Sequence, residues 1–159
     1  MAELAYLSLG SNVGDRETNL RRAIAELETV GGLRSVSSFY ETQPVGPLNQ
    51  PWFLNCVAVL ETERTPRELL DAMLKVEAGM GRVRLQDKGP RNIDIDVLLF
   101  GDRVVSEPRL TIPHAAMHER RFVLEPLAEI APNVRHPLLD KTASELLHAL
   151  GEGQIVRKT

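Results

Sequence analysis

Two aspartates, Asp94 and Asp96, lie inside the segment GPRNIDIDVLLFG, residues 89–101, which otherwise has the apolar character of a buried strand. Because successive side chains of a strand point to opposite faces, the two carboxylates share one face. Carboxylates about 6.5 Å apart along a strand can hold hard cations such as Mg²⁺, including two ions about 3.5–4 Å apart on a phosphate chain. An exposed edge strand with solvated aspartates is the competing interpretation.

Basic residues flank the aspartates in the sequence. Residues 82–91, just before the strand, contain a single acid, Asp87. The same ten residues contain four cations: Arg82, Arg84, Lys88 and Arg91. A second basic set follows the strand: Arg109, His114, His118, Arg120 and Arg121. Carboxylates for metal ions beside cations for phosphate oxygens are the combination that phosphoryl transfer uses. The chain has neither a G-x-x-x-x-G-K-[ST] nor a G-x-G-x-x-G motif, so side chains and metal ions must hold the phosphates.

Aromatic residues suggest a second kind of ligand. Trp52 and Phe53 lie close to Asn55 in a chain with only seven aromatic residues. A flat heterocycle could stack on Phe53, with Phe122 as the opposite wall, while the Asn55 amide pairs with its polar edge. Taken alone, two neighbouring aromatics are more often core residues.

The elements that position these residues alternate between strands and helices. LAYLSLG, RSVSSFYET, FLNCVAVLET and the Asp-bearing segment predict strands, and DRETNLRRAIAELETVGG predicts a helix closed by its glycines. Capping boxes predict helices starting at Thr65 and Thr142, and RRFVLEPLAEIAP predicts a short helix. EPRLTIPHAAMHERR is expected to be irregular at its prolines. Consecutive strands without a helix between them favour an α+β, ferredoxin-like antiparallel or mixed sheet over a doubly wound parallel sheet.

Composition limits the range of functions. The chain has 159 residues, a net charge of −3 and an apolar fraction of 43%, so we expect one domain spanning residues 1–159 and no nucleic-acid or membrane partner. The single cysteine, Cys56, is expected to be a buried apolar residue in a reducing compartment. We therefore expect a cytoplasmic monomer that acts on small molecules.

Five segments in order resemble the 6-hydroxymethyl-7,8-dihydropterin pyrophosphokinase family of folate biosynthesis: YETQPVGPLNQPWFLN, GRVR, GPRNIDIDVLLFG, LTIPH and HERRFVLEPLAEIAP. The resemblance runs from LSLGSNVGDR to about Pro137, and its most specific element is Gly-Pro-Arg before the Asp-x-Asp strand. It implies a ferredoxin-like α+β fold and the transfer of pyrophosphate from MgATP to the pterin hydroxymethyl group, with release of AMP.

The resemblance also assigns roles to individual residues. Asp94 and Asp96 match the ligands of two Mg²⁺ ions and, with Arg82 and Arg91, form the expected catalytic set. The expected ATP site comprises Glu77, Arg82, Arg84, Lys88, Arg91, Thr111, His114 and Arg120. The expected pterin site comprises Thr42, Gln43, Val45, Phe53, Asn55 and Phe122. The chain departs from the family pattern at Lys88, where members often carry an aromatic residue, and at Ala115-Ala116, where a larger side chain is common.

Two other functions fit parts of the sequence. A nucleotidyltransferase would also combine a Gly-Ser turn with an Asp-x-Asp strand, but here the turn at residues 10–11 is some 80 residues from the aspartates. A ligand-sensing module without catalysis could use the same fold. Retention of both aspartates and of the basic residues argues against that alternative.

Overall fold

A six-stranded sheet with four helices packed on it forms most of the computed structural model, which describes residues 2–43, 50–82, 91–151 and 153–159. In chain order the elements are β1 (Glu3–Ser11), α1 (Arg16–Leu27), β2 (Gly32–Val36), β3 (Tyr40–Thr42), β4 (Phe53–Thr62), α2 (Pro66–Gly79), β5 (Asp94–Phe100), β6 (Val105–Glu107), β7 (Leu110–Ile112), a 3₁₀ turn (Met117–Glu119), α3 (Arg121–Ile130), β8 (Arg135–His136), β9 (Lys141–Thr142), α4 (Ala143–Ala149) and β10 (Val156–Lys158). No helix in these described ranges is long and apolar enough to cross a membrane.

The sheet has the strand order β10-β3-β4-β1-β5, with β2 also paired to β4. Every pair in it is antiparallel. From β1 to β5 the elements follow the order β1, α1, β2 and β3, β4, α2, β5. Strands β2 and β3 both pair with β4 and together occupy the place of one strand. This arrangement confirms the predicted ferredoxin-like α+β fold, and the parallel alternative is wrong.

The sheet carries an apolar core on each face. One core joins β1 to α1 and α2 and includes Leu7, Leu9, Leu20, Leu69 and Met73. The other joins the sheet to α3 and α4 and includes Tyr6, Val57, Leu99, Val123, Leu124 and Leu146. In β5, Ile95 and Val97 enter the first core, so the side chains of Asp94 and Asp96 lie on the face that carries α3.

Local signals fix the helix starts. In α2, the Thr65 side chain accepts a hydrogen bond from the Glu68 backbone N–H, and the Glu68 side chain accepts one from the Thr65 backbone N–H. The same reciprocal pair occurs between Thr142 and Glu145 at α4. Each cap satisfies backbone N–H groups that the first helical turn leaves without a partner. Both predicted capping boxes are confirmed.

The end of α1 differs from the prediction. The helix ends at Leu27, and Gly31 and Gly32 lie beyond it, where β2 begins. A Cβ atom at Gly31 would lie 2.5 Å from the backbone oxygen of Glu61 in β4. The glycine therefore permits close approach of two backbones instead of terminating the helix.

Two further segments differ from the sequence prediction. RSVSSFYET forms two strands, because Ser37 pairs with Val57 of β4 through both its backbone N–H and its hydroxyl, at 2.9 Å each. The segment expected to be irregular at its prolines has a turn at Pro108 and a bend at Pro113, but between them it forms β7. This strand pairs with β6 in a hairpin whose turn contains Arg109, with a φ of 65°. Its strands are three residues long, too short for an alternating pattern to be recognised.

Candidate active site

Asp94 and Asp96 lie at the start of β5, which pairs with β1 so that Asp94 is opposite Gly10 and Asp96 is opposite Ser8. The residue between them, Ile95, is only 6% exposed and belongs to the core under α2. The two carboxylates therefore share one face of the sheet, as the alternation predicts. Burial of the intervening side chain fixes this orientation, because a shift of one residue would turn the aspartates into the core.

A charged network surrounds Asp94. One nitrogen of Arg82 lies 2.6 Å from Glu77 and 3.0 Å from Asp94, and Arg91 lies 3.2 Å from the other oxygen of Asp94. The side chains of Arg82 and Glu77 are each only 6% exposed. Glu77 also accepts a hydrogen bond of 2.7 Å from the backbone N–H of Ile95. Helix α2 is thus attached to the strand that carries the aspartates.

Asn12 fixes the position of Arg91. Its side-chain oxygen accepts a hydrogen bond from the Arg91 backbone at 2.8 Å, and its own N–H donates to the Arg91 carbonyl at 3.0 Å. Its amide nitrogen donates to Gln50 and to the Pro51 carbonyl, each at 2.9 Å. This buried asparagine, the last residue of the Gly-Ser-Asn segment, joins the turn after β1 to two segments of the site.

Asp96 lies in an unfavourable environment for a negative charge. Burial, and then the charge of Asp94, raises the pKa of Asp96 from its ordinary 3.8 to about 7, while Arg120 opposes the shift. Burial also raises the pKa of Glu77. A divalent cation beside Asp96 would remove much of this penalty, so the carboxylate pair fits a metal site.

Mg²⁺ is octahedral, so two aspartates leave several positions to other oxygen atoms. Within the parts of the chain that the structure describes, no group of three or more His, Cys, Asp or Glu residues could hold a metal ion. Phosphate and water oxygens would have to supply the other ligands, as is usual for Mg²⁺ that arrives with a nucleotide.

A first cavity opens on the aspartate face of the sheet. It is lined by Ser8, Gly10, Thr42, Gln43, Phe53, Asn55, Arg91, Asp94, Asp96, Arg120, Phe122 and Gln154. The Asn55 side chain accepts a hydrogen bond of 2.5 Å from Thr42 and donates one of 3.3 Å to the Leu9 carbonyl. These contacts fix the amide with its oxygen toward Thr42 and, among the residues that the structure describes, leave one N–H without a partner and able to pair with a ligand.

Gly10 provides the space for Asn55. A Cβ atom at this position would lie 2.5 Å from the amide nitrogen of Asn55 and 3.4 Å from the ring of Phe53. Any larger residue would therefore displace the amide and press on the aromatic ring. The glycine after LAYLSL is a requirement of the cavity as well as the end of a predicted strand.

A second cavity lies on the other side of Asp96. Its lining consists of Leu70, Ile95, Asp96, Val97, Arg109, Leu110, Thr111, His114 and Ala115. The Nδ1 atom of His114 accepts a hydrogen bond of 3.2 Å from the Ala116 N–H. Burial, followed by the charge of Arg120, lowers the pKa of His114. The ring is therefore neutral near pH 7 and carries its proton on Nε2, where it can donate to a ligand.

Most residues predicted for the site come together around Asp96. Those lining the two cavities are Thr42, Gln43, Phe53, Asn55, Arg91, Asp94, Asp96, Thr111, His114, Arg120 and Phe122. Glu77 and Arg82 line neither cavity and reach the site through Asp94 and Ile95. Val45, Arg84 and Lys88 lie outside the described residues.

The predicted site lacks nine residues that line the cavities: Ser8, Gly10, Leu70, Ile95, Val97, Arg109, Leu110, Ala115 and Gln154. Pairing of β1 with β5 would have indicated Ser8 and Gly10 had the register been known. Arg109 belongs to the basic set after the strand, but its sequence position indicates no individual role. No sequence signal indicated Gln154.

Residues 6–132 match the model of the 7,8-dihydro-6-hydroxymethylpterin-pyrophosphokinase (HPPK) family. The chain belongs to this family. It is 49% identical over 132 residues to the 2-amino-4-hydroxy-6-hydroxymethyldihydropteridine pyrophosphokinase of Methylorubrum extorquens. The aligned residues make up 82% of this chain and 84% of that relative. It is 46% identical over 136 residues to the enzyme of the same name from Bacillus subtilis, covering 84% and 81% of the two chains.

The fold of this chain is also similar to that of solved HPPK-DHPS structures. A crystal structure of wild-type Plasmodium falciparum HPPK-DHPS superposes with a TM-score of 0.74 at 17% identity, covering 93% of this chain and 44% of the other. The fission yeast folic acid synthesis protein fol1 is 42% identical over 150 residues, which make up 20% of its length. In these longer proteins the present chain corresponds to one part.

Proposed function

We propose that this protein transfers the pyrophosphoryl group of ATP to the hydroxymethyl group of 6-hydroxymethyl-7,8-dihydropterin and releases AMP. The observation that carries the proposal is the position of Asp96, which lines both cavities. A pterin in the first cavity and the nucleotide in the second would meet at this carboxylate. Relatives that are 49% and 46% identical to this chain over 132 and 136 residues are named 2-amino-4-hydroxy-6-hydroxymethyldihydropteridine pyrophosphokinase.

The first cavity suits the pterin. Phe53 and Phe122 supply aromatic surface for the two faces of a flat ring, and Asn55 supplies the amide for its polar edge. Thr42 holds that amide in place through its hydrogen bond. Gln43 and Val45 complete the proposed pterin site.

The second cavity suits the nucleotide. Leu70, Val97 and Leu110 offer an apolar wall for a base, and Arg109, Thr111 and His114 offer cationic or hydrogen-bonding groups. The remaining residues of the proposed ATP site are Glu77, Arg82, Arg84, Lys88, Arg91 and Arg120. The neutral His114 would donate its Nε2–H to an oxygen of ATP.

Catalysis rests on charge and position. Mg²⁺, two ions in our proposal, would be held by Asp94 and Asp96, neutralise phosphate oxygens and lower the pKa of the attacking hydroxyl. Arg82 and Arg91 bracket Asp94 and would stabilise negative charge that develops on the transferred group. Phe53 and Phe122 would orient the pterin hydroxyl toward the β-phosphorus, in line with the departing AMP.

We further propose that residues 1–159 act as a single domain and as a monomer in the cytoplasm, on small molecules alone. One continuous sheet runs from β10 to β5 and carries all four helices of the described residues, which supports the single domain.

Phosphorus NMR tests the function directly. Wild-type protein mixed with ATP, Mg²⁺ and 6-hydroxymethyl-7,8-dihydropterin should produce AMP and a pterin diphosphate in equal amounts, and omission of any component should abolish both. Release of inorganic pyrophosphate would instead indicate nucleotidyl transfer, and the proposal would be wrong. Binding of ATP and pterin without any product would favour a sensing module.

The substitution Phe53→Ala should weaken pterin binding by roughly 5- to 150-fold, because stacking of a base on an aromatic side chain contributes about 1–3 kcal/mol. ATP affinity should change by less than about twofold, since Phe53 lines only the first cavity. Isothermal titration with each ligand measures both values. Trp52→Ala is the matched control, because this neighbouring aromatic lines neither cavity. Equal losses for pterin and ATP would exclude Phe53 from the ring site.

A further inference from the structure

The C-terminal segment, residues 153–159, crosses the edge of the first cavity. It follows α4 and ends in β10, which pairs antiparallel with β3, Val156 lying opposite Thr42. Gln154, two residues before this strand, lines the first cavity. The family match ends at residue 132, so this segment lies outside the part of the chain that the family description covers.

Gln154 and its neighbour hold Gln43 through three hydrogen bonds. The Gln154 amide nitrogen donates to the Gln43 carbonyl. The Gln43 N–H donates to the Ile155 carbonyl at 3.0 Å, and the Ile155 N–H donates to the Gln43 side-chain oxygen at 3.4 Å. Gln43 directly follows Thr42, whose hydroxyl orients Asn55. The C-terminal segment therefore fixes the backbone next to the residues proposed to read the pterin edge.

The same segment is tied to the opposite wall of the cavity. Arg121 begins α3 and donates to the Gly151 carbonyl at 3.0 Å and to the Leu150 carbonyl at 3.5 Å. The next residue of α3 is Phe122, the proposed second wall for the ring. Leu150 and Gly151 thus contact the side of the first cavity that carries Phe122, and Gln154 and Ile155 contact the side that carries Gln43.

The Gln154 side chain has a free acceptor. Its nitrogen must face Gln43, because a carbonyl can only accept a hydrogen bond. The amide oxygen then has no partner among the residues that the structure describes. An acceptor at the rim of a cavity with Phe53, Asn55 and Phe122 matches the N–H and amino donors on the edge of a pterin ring.

We propose that Gln154 is a pterin-binding and positioning residue: its amide oxygen accepts a hydrogen bond from the substrate ring while its nitrogen fixes Gln43. The proposal rests on the function proposed above and adds a substrate determinant from the C-terminal segment. Its effect falls on pterin affinity alone, since Gln154 is absent from the lining of the second cavity.

Ligand titration of full-length variants tests this role. The probes are 6-hydroxymethyl-7,8-dihydropterin, titrated in the presence of Mg²⁺ and α,β-methylene-ATP, and the nucleotide analogue titrated alone. Gln154→Ala should weaken pterin binding at least about tenfold, consistent with the loss of one or two hydrogen bonds, and leave nucleotide affinity within about twofold. Gln154→Glu should lose at least as much, because a carboxylate cannot donate to the Gln43 carbonyl.

Ile155→Ala is the matched control, since its exposed side chain lines neither cavity and its backbone pairing with Gln43 is retained. Wild-type pterin affinity in both Gln154 variants would overturn the proposal, and so would equal losses for pterin and nucleotide. AMP release by the wild-type protein is measured alongside. If the wild-type protein releases AMP but the Gln154 variants bind pterin normally, only the role of Gln154 is wrong. If the wild-type protein releases no AMP, the proposed function and the role of Gln154 are both wrong.

Discussion

Replacement of Asp96 by asparagine should lower the rate of AMP release at least about 1000-fold, equivalent to roughly 4 kcal/mol of transition-state stabilisation. The carboxylate lines both cavities and lies on the same strand face as Asp94. Asparagine keeps the shape of the side chain but supplies a neutral oxygen, a much weaker ligand for Mg²⁺. A coupled assay of AMP formation at saturating ATP and pterin measures the loss.

The same substitution should make the folded protein more stable at pH 8 when Mg²⁺ is removed with EDTA. The folded-state pKa of Asp96, about 7, lies above its ordinary 3.8, so folding favours the protonated form. The penalty for ionisation is absent below pH 4 and complete above pH 7. Because the pKa of Asp96 rises from 3.8 to about 7 on folding, the Asp96→Asn variant should gain roughly 2–4 kcal/mol at pH 8.

Urea unfolding at pH 4, 6 and 8 in EDTA checks this trade of activity for stability. Wild type and variant should be closest at pH 4, and the gap should widen with pH. Asp71→Asn, which alters an exposed acid on α2, is the control and should change neither activity nor stability appreciably. A variant with a wild-type rate of AMP release would remove Asp96 from the metal site. A gap that does not grow with pH would contradict the account of a buried charge.

Local signals predicted the placement of Asp94 and Asp96 well. Strand alternation depends on neighbouring residues alone, so the shared face of the two aspartates can be derived from IDIDV without tertiary information. The capping boxes at Thr65 and Thr142 are equally local. The position of α2 follows from its cap, and Glu77 then lies at its C-terminal end, where it reaches the N–H of Ile95.

Long-range register could not be predicted in this way. Ser8 and Gly10 enter the site only because β1 pairs with β5, and that pairing shifts by a β-bulge between Tyr6 and Leu7. Gln154 joins the first cavity through contacts with a residue 111 positions away. Such contacts depend on how the last strand returns to the sheet, which no short pattern in the chain specifies.

The ion-pair partners of the basic residues could not be predicted from the sequence either. The basic residues before β5 indicate anion binding, but the structure shows that Arg82 is nearly buried and contacts Glu77 and Asp94 at once. In our proposal this cation, with its two carboxylate partners, has both a structural and a catalytic role. Separating these two roles requires a variant that restores one without the other.

The substitution Arg82→Met should lower kcat by roughly 10³–10⁵-fold, the range found for arginines that stabilise a transferred phosphoryl group. It should also destabilise the fold by about 3–5 kcal/mol, because Glu77 would remain buried without its ion-pair partner. Stopped reactions with quantified AMP give kcat, and urea unfolding gives the free energy of unfolding. Arg67→Met, which removes an exposed ion pair with Glu107, should leave both nearly unchanged.

Adding Glu77→Gln to Arg82→Met separates the two roles. Glutamine still offers an oxygen to the Ile95 N–H but no longer buries a charge, so the double variant should recover most of the lost stability. Its kcat should stay low, because no cation then lies beside Asp94 from this side. Recovery of kcat together with stability would contradict a catalytic role and reduce Arg82 to a partner of Glu77. A lower kcat in the stable double variant than in Glu77→Gln alone would assign the loss to the Arg82 guanidinium, which lies 3.0 Å from Asp94.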